Sequence, residues 1–413
     1  MTLSQARHVQ RTYLLLTLLS TLAASFIWGI NTLFLLDAGL SNAEAFAANA
    51  FFTLGQVLFE LPTGVVADTW GRRTSYLLGT ATLLVSTLLY LAMWQVHAPM
   101  WGWALASILL GLGFTFFSGA TEAWLVDALT FSGAKDTLEP VLARGQIVAG
   151  AAMLAGSVAG GVVAQWTDLG VPYLLRSLLL GVTLAVAFFS MKDLGFIPER
   201  GKGALDRVRT VVRGSLDHGL RNPPARWLML SAPFTMGVGM FAFYALQPYL
   251  LQLYGDERAF WIAGLAAAIV AGCEIVAGLI APHVRGLFSR RTHALLIATV
   301  IGVGGLALIG WTTSFWVAIS ALVVAELAEA ASRPMRQAYL NGVIPSGQRA
   351  TVLSFDNLMG SAGGVVVQPA LGRVADVGGY ASAYLVGAVI QAASLPFLVL
   401  ARREAAPADR IED

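Results

Sequence analysis

The chain has 413 residues, 57% of them apolar and only 12% charged, with a formal charge of +2 and a mean hydropathy of +0.70. A soluble domain carries roughly a quarter of its residues as charge, so this composition excludes an ordinary water-soluble globule, and the near-neutral balance points to no nucleic-acid partner. One cysteine, Cys273, leaves no intramolecular disulfide to form.

Taken in chain order, the charges separate apolar runs of about 20 residues or more, each able to cross a bilayer core of ~30 Å. Twelve such runs are predicted, at 12–36, 43–66, 74–95, 100–127, 144–166, 172–194, 227–253, 259–283, 293–312, 314–340, 349–371 and 379–400. The first run is too long for a cleavable signal core and reads as a retained helix. With twelve spans both termini share a side. That side, with the loops after even-numbered spans, receives 23 of the 26 basic residues. Arg258 and Arg373 fall on the other side, and Arg176 near the outer end of the sixth span. The positive-inside rule then makes the basic side and both termini cytoplasmic in a multi-pass cell-membrane protein. The 23 arginines against 3 lysines fit a GC-rich bacterial source.

The long loop divides the chain into a six-helix bundle over 1–191, a cytoplasmic linker over 192–226, a second bundle over 227–401 and a tail over 402–413. Leu205, Val208, Val212 and Leu216 share one helical face of the linker, with Arg207, Arg209 and Arg213 outside it. This predicts a helix lying on the inner membrane surface, in contact with membrane lipids. A repeat supports two bundles. AGGVVAQ at 159–165 returns as AGGVVVQ at 362–368, an offset of 203. Asp168 and Gly170 are likewise paralleled by Asp376 and Gly378, Glu60 and Gly64 by Glu274 and Gly278, and Glu122-Ala123 by Glu329-Ala330. Duplicated helix units of this kind enclose a binding site near the bilayer midplane.

The loop after the second span reads Gly64-Val-Val-Ala-Asp68-Thr-Trp-Gly71-Arg72-Arg73. It resembles the signature cytoplasmic loop of the major facilitator superfamily, and twelve spans, a 6+6 repeat and a basic central loop extend the resemblance over the whole chain. The resemblance implies an all-α fold of two pseudo-symmetric six-helix bundles. It also implies a cytoplasmic gate made of Gly64, Asp68, Gly71, Arg72, Arg73 and Asp127. In it Asp68 latches onto the start of the eleventh helix, where unpaired N–H groups favour negative charge, and Arg72 pairs with Asp127. Gly64 and Gly71 permit close helix approach and a sharp turn. The alternative for Arg72 and Arg73 is simple anchoring to lipid headgroups. Within the superfamily the chain is most like the drug:proton antiporters, in part. Their helix-5 element reads here Gly156-Ser157-Val-Ala-Gly160-Gly161, with serine for proline, and their helix-4 arginine is missing.

Charged groups inside a span cost several kcal/mol and face the protein interior. Asp356, Glu274 and Glu326 fall near the midplane by helix counting, and Glu60 and Glu122 toward the cytoplasm. A carboxylate in a low-dielectric cavity titrates closer to neutrality, which is the chemistry proton coupling needs. Asp356 leads, because the first repeat has only Ala152 and its small neighbours opposite it; Glu122 and Glu60 follow, then Glu274. Asn49, Thr53 and Gln56 continue a polar stripe down to Glu60. Glu60 and Glu274 also read as inherited packing residues. Glu329 stands four residues before Arg333, which predicts a structural ion pair along one helix, with Glu326 on the same face. All five histidines fall in loops or at helix ends, which argues against a mid-membrane histidine relay.

The family lines its cavity with helices 1 and 7. Trp28 and Asn31, with Met236, Met240, Phe241, Tyr244 and Gln247, suit an apolar or amphipathic ligand, because aromatic and methionine surfaces re-pack around different shapes. An anion carrier needs a cavity arginine, for which Arg333 and Arg336 are the candidates. No nucleotide-binding loop, zinc spacing or nucleophile elbow occurs, so neither enzyme, cofactor nor metal is expected. Gly302-Val-Gly304-Gly-Leu-Ala307 imitates a dinucleotide fingerprint but lies inside a predicted helix. The expected function is a monomeric secondary transporter that alternates access, exporting hydrophobic or cationic drug-like compounds against protons. The alternatives are a proton-coupled or uniport carrier of a small metabolite or lipid, and a non-transporting membrane receptor or scaffold.

Overall fold

The computed structural model describes residues 3–411 apart from 118, 135–136, 199–208 and 210–212. The first crossing is α1 (Leu3–Trp28) followed by α2 (Asn31–Asp37). Then come α3 (Asn42–Trp70), α4 (Arg72–Gln95), α5 (Met100–Thr115) with α6 (Ala120–Phe131), α7 (Leu138–Trp166) and α8 (Val171–Ser190). The second half has α9 (Pro223–Tyr254), α10 (Phe260–Gly286), α11 (Arg291–Trp311), α12 (Phe315–Val343), α13 (Arg349–Ala392) and α14 (Leu395–Arg403).

Among the described residues, eleven helical stretches are long and apolar enough to cross a membrane. The last of them, Thr351–Arg403, has 53 residues, about 80 Å at 1.5 Å per residue, more than twice the ~30 Å of a bilayer core. It is two crossings: Gly379, at φ 76 and ψ 169, breaks it in α13. A side chain with a Cβ rarely adopts that conformation, and the twelve-span, all-helical architecture follows.

Two of the spans are not the single helices expected. Between α1 and α2 the chain turns at Gly29-Ile30, and between α5 and α6 it turns through Phe116, Phe117 and Gly119, the last at φ 68. Non-helical backbone inside a span is tolerated where protein or a cavity satisfies it. The surface helix expected over the linker has Leu205, Arg207, Val208 and Val212 outside the described residues. Its described end is a π-helical turn, Leu216–Leu220, anchored by the Ser215 hydroxyl on the Thr351 carbonyl at 3.2 Å.

The chain divides into two compact units. One comprises Met1–Gly39, Phe51–Asp206 and Ala259–Ala268; the other Leu40–Ala50, Arg207–Arg258 and Ile269–Asp413. In the first, Tyr13, Leu16, Tyr76, Trp124 and Leu125 form an apolar core, and toward the other end of α4 Phe34, Tyr90, Trp103 and Tyr173 pack ring on ring, Phe34 and Tyr173 with centroids 3.9 Å apart. Helices approach closely where glycine allows it: a Cβ on Gly55 would stand 2.6 Å from the Ile108 carbonyl oxygen. In the second, Leu228, Met229, Tyr339, Leu340 and Leu398 make the core. The repeated phrase does equivalent work in each unit. A side chain on Gly160 would run into the Phe26 backbone of α1, and one on Gly363 into the Pro233 backbone of α9.

Candidate functional site

Charged side chains gather in two places, one per unit. At the start of α4, Gly71 is the helix N-cap, held at φ 106, and has no side chain to satisfy the first N–H groups. Asp193, just beyond the end of α8, supplies the acceptor: its Oδ1 takes the Arg73 backbone N–H at 2.8 Å. Arg72 turns back one helical turn to Asp68, 2.5 Å away, while Asp127 of α6 lies at 3.9 Å, the outer limit of an ion pair. The carboxylate expected to hold Arg72 is thus the more distant of the two. Arg73 leaves this group altogether, donating to the Phe188 carbonyl at 2.8 Å. Gly71 makes the expected turn. Gly64 does not make the expected close approach, since a Cβ there would meet nothing within 4 Å.

The second cluster is built on α12. Glu326, Glu329, Arg333 and Arg336 are spaced three, four and three residues apart, which places them along one helical face. Arg336 holds Asp356 of α13 through two bonds, 2.5 Å to Oδ2 and 2.8 Å to Oδ1. Its second amino group also donates to the Leu228 carbonyl at 3.2 Å. Asp356 is 2% exposed, so the expected burial is met. It is not an open acid, because both oxygens are engaged by one guanidinium. Arg333 pairs with Glu274 of α10 at 2.7 Å. The ion pair expected along the helix, Glu329 with Arg333, is therefore not the one formed. Such a pair contributes only about 0.2–0.5 kcal/mol, so a well-aimed carboxylate on a neighbouring helix displaces it.

Among the described residues neither Glu326 nor Glu329 is in an ion pair. Arg333, Glu329 and Glu274 are the charged neighbours of Glu326, and Arg333 and Arg336 those of Glu329. Both carboxylates are half-buried. Cys273 and Tyr384 also lie within electrostatic reach of Glu326. The cluster holds four carboxylates against two guanidinium groups, and among the described residues no group of three or more His, Cys, Asp or Glu has metal-binding geometry.

The remaining expected residues are scattered. Glu60 is half-buried in α3; Glu122 is exposed in the first turn of α6, where the helix dipole favours a carboxylate. Trp28 and Asn31 flank the break in the first crossing, and Asn31 accepts a hydrogen bond from the buried Tyr173 hydroxyl at 2.9 Å. On α9, Phe241 and Gln247 are buried; Phe241 packs tilted against Phe46 with centroids 4.8 Å apart. Met240 and Tyr244 are half-buried, with the Met240 sulfur accepting from Gln368 at 4.0 Å.

Three residues escaped sequence reasoning. Arg176, read as an outer anchor, is 1% exposed and donates to Thr87 Oγ1 and the Ala23 carbonyl, both at 3.0 Å. Asp193, where the sixth predicted span meets the linker, was given no role; the unsatisfied N-cap at Gly71 was the available signal. Asp409 of the tail is 1% exposed and binds the Thr292 backbone N–H at 2.8 Å and its hydroxyl at 2.9 Å, so the tail closes the start of α11.

The sequence profile of the Major Facilitator Superfamily matches residues 13–324 and 262–412. An MFS-type transporter of Methanocaldococcus jannaschii, itself uncharacterised, is 18% identical over 374 residues, which is 90% of this chain and 92% of the relative. Among solved structures, the nucleoside transporter NupG superposes with a TM-score of 0.79 at 11% identity, over 95% of this chain and 98% of its own. A bacterial homologue of the human lysosomal transporter Spinster, inward-facing and occupied, gives 0.73 at 14% over all of both chains. The POT family transporter PepTSo gives 0.74 at 12%, over 96% and 98%. Identities this low speak for the fold alone.

Proposed function

From the premise that this chain belongs to the Major Facilitator Superfamily, we propose that it is a secondary active transporter exporting hydrophobic or cationic compounds in exchange for protons. One observation carries the reading: the cluster on α10, α12 and α13 contains two more carboxylates than guanidinium groups. Uncompensated negative charge inside a membrane is expensive. It is relieved either by protons on Glu326 and Glu329 or by a cationic substrate beside them, and the two compete for one site. That competition is the basis of exchange. Glu326 takes first place as the coupling acid, ahead of Asp356, whose carboxylate is committed to Arg336. In this reading Asp68, Arg72 and Asp127 act in the gate on the basic-loop side, which is the cytoplasmic side of a bacterial cell membrane.

The test is proton flux in proteoliposomes carrying a pH gradient, challenged with lipophilic cations, neutral drugs, nucleosides and sugars. A lipophilic cation should dissipate the gradient with the wild type and not with Glu326→Gln. If flux persists in that variant but stops in Asp356→Asn, the buried pair is the coupling site. Substrate crossing with no proton movement in any case would overturn exchange and favour a uniporter.

A further inference from the structure

On the outside of the first unit, α4 and α8 leave a groove of about 540 Å³ between them, lined by Thr74, Leu78, Ala81, Gly181, Leu184 and Phe188 among others. Thr74 is its one polar lining residue. Gly181 opens onto the groove: a Cβ there would meet nothing within 4 Å, so this glycine is not there to let another helix approach. The walls are open rather than packed, with Leu78 37%, Phe188 56% and Phe189 77% exposed.

Its direction, from the helix ends inward, suits the upper part of one lipid chain. Thr74 and Phe188 stand at the helix ends on the basic-loop side, while Ala81 and Gly181 lie about seven residues deeper. Seven residues of helix rise roughly 10 Å, against about 15 Å for half of a ~30 Å hydrocarbon core. At the mouth, Arg73 lies over the Phe188 ring, 5.1 Å from its centroid, and bonds the Phe188 carbonyl at 2.8 Å. Those contacts fix the guanidinium beside the groove and leave further N–H donors for a phosphate. Asp193, on the Arg73 backbone N–H, brings an opposing charge to the mouth, and Lys192 precedes it in the same loop.

We propose that this groove is a phospholipid site of the leaflet on the basic-loop side, with one acyl chain between α4 and α8 and the headgroup phosphate on Arg73. The site is independent of the transport reading.

The experiment titrates the purified full-length protein in non-ionic detergent with phosphatidylglycerol, and separately with a diacylglycerol of the same chains, counting retained molecules by native mass spectrometry. Wild type should hold one phospholipid. Gly181→Leu and Ala81→Leu fill the groove and should weaken that binding about tenfold, the equivalent of roughly two buried methylenes. Arg73→Gln should weaken the phospholipid and leave the diacylglycerol unchanged. Thermal unfolding identifies any variant that fails to fold; should both groove variants fail, the two lipid arms of Arg73→Gln decide. Wild-type retention in folded groove-filling variants overturns the proposal. So does equal loss of both lipids in Arg73→Gln. Dimerisation abolished by Gly181→Leu overturns it too, because the groove then accommodates a second copy of the chain.

Discussion

The first half of the chain collects its ion pairs at helix ends, where Arg72 lies among Asp68 and Asp127, and its deeply buried Arg176 is bonded to a hydroxyl and a carbonyl. The second half places Arg333–Glu274 and Arg336–Asp356 within its spans. Yet both halves press a glycine of the same phrase against the backbone of their own first long helix. Backbone contact at glycine leaves little freedom to diverge, because any side chain there displaces a helix. Charged side chains carry no such constraint and can be added to one copy only. The comparison therefore separates a glycine scaffold common to both copies from charge that is only partly shared: Glu274 and Glu329 have counterparts in Glu60 and Glu122, but the ion pairs with Arg333 and Arg336 form in the second half.

The largest expected effect breaks that comparison on the side of the second half. Asp356→Leu takes the two-oxygen partner from Arg336 at a 2%-exposed site, leaving it Glu329 as a charged neighbour without an ion pair, and should cost about 3–5 kcal/mol, the usual penalty for removing one partner of a buried pair. Thermal unfolding in one detergent measures it. The double variant Asp356→Leu with Arg336→Met should recover most of the loss, since neither partner of the pair is then left without the other. A single variant within about 1 kcal/mol of wild type would mean that the pair is not a buried unit. Arg176→Met is the matching change in the first half. It removes donors from two neutral acceptors and strands no charge, so about 1–3 kcal/mol is expected. A loss as large as that of Asp356→Leu would erase the distinction between the halves.

Much of this was legible in the residues. Apolar run length gave the spans, because that signal is local; the two compact units do not follow the expected division, since one takes Ala259–Ala268 and the other Leu40–Ala50. The breaks at Gly29-Ile30 and Gly119 were not, although Ser118-Gly119 is a turn dipeptide; hydropathy windows pass over a turn made of apolar residues. Partner choice was the other blind spot. Helical spacing brings Glu329 within reach of Arg333, and only the packing of α10 on α12 decides that Glu274 takes it. Asp356 was placed inside the span by helix counting, but its partner was not foreseen, because Arg336, twenty residues earlier, reaches it from another helix. The roles of Asp193 and Asp409 depend on loops returning to distant helix starts, which no local pattern encodes.

The smallest expected change in stability sharpens the comparison from the first half. Asp68 and Arg72 are each 20% exposed, with Asp127 at 3.9 Å as a second carboxylate. Asp68→Asn therefore leaves Arg72 with a partner, and a pair this open to solvent contributes at most about 1 kcal/mol. Unfolding temperature should barely move. If Asp68 only holds Arg72, Asp68→Asn and Arg72→Gln should have the same small effect on transport. If Asp68 also latches a helix start during the cycle, Asp68→Asn alone should slow initial uptake into proteoliposomes by about tenfold, equivalent to roughly 1.4 kcal/mol on the rate-limiting step. Arg72→Gln, which keeps that carboxylate, should slow it less. Equal rates in the two variants would remove the latch and leave the first half as scaffold alone.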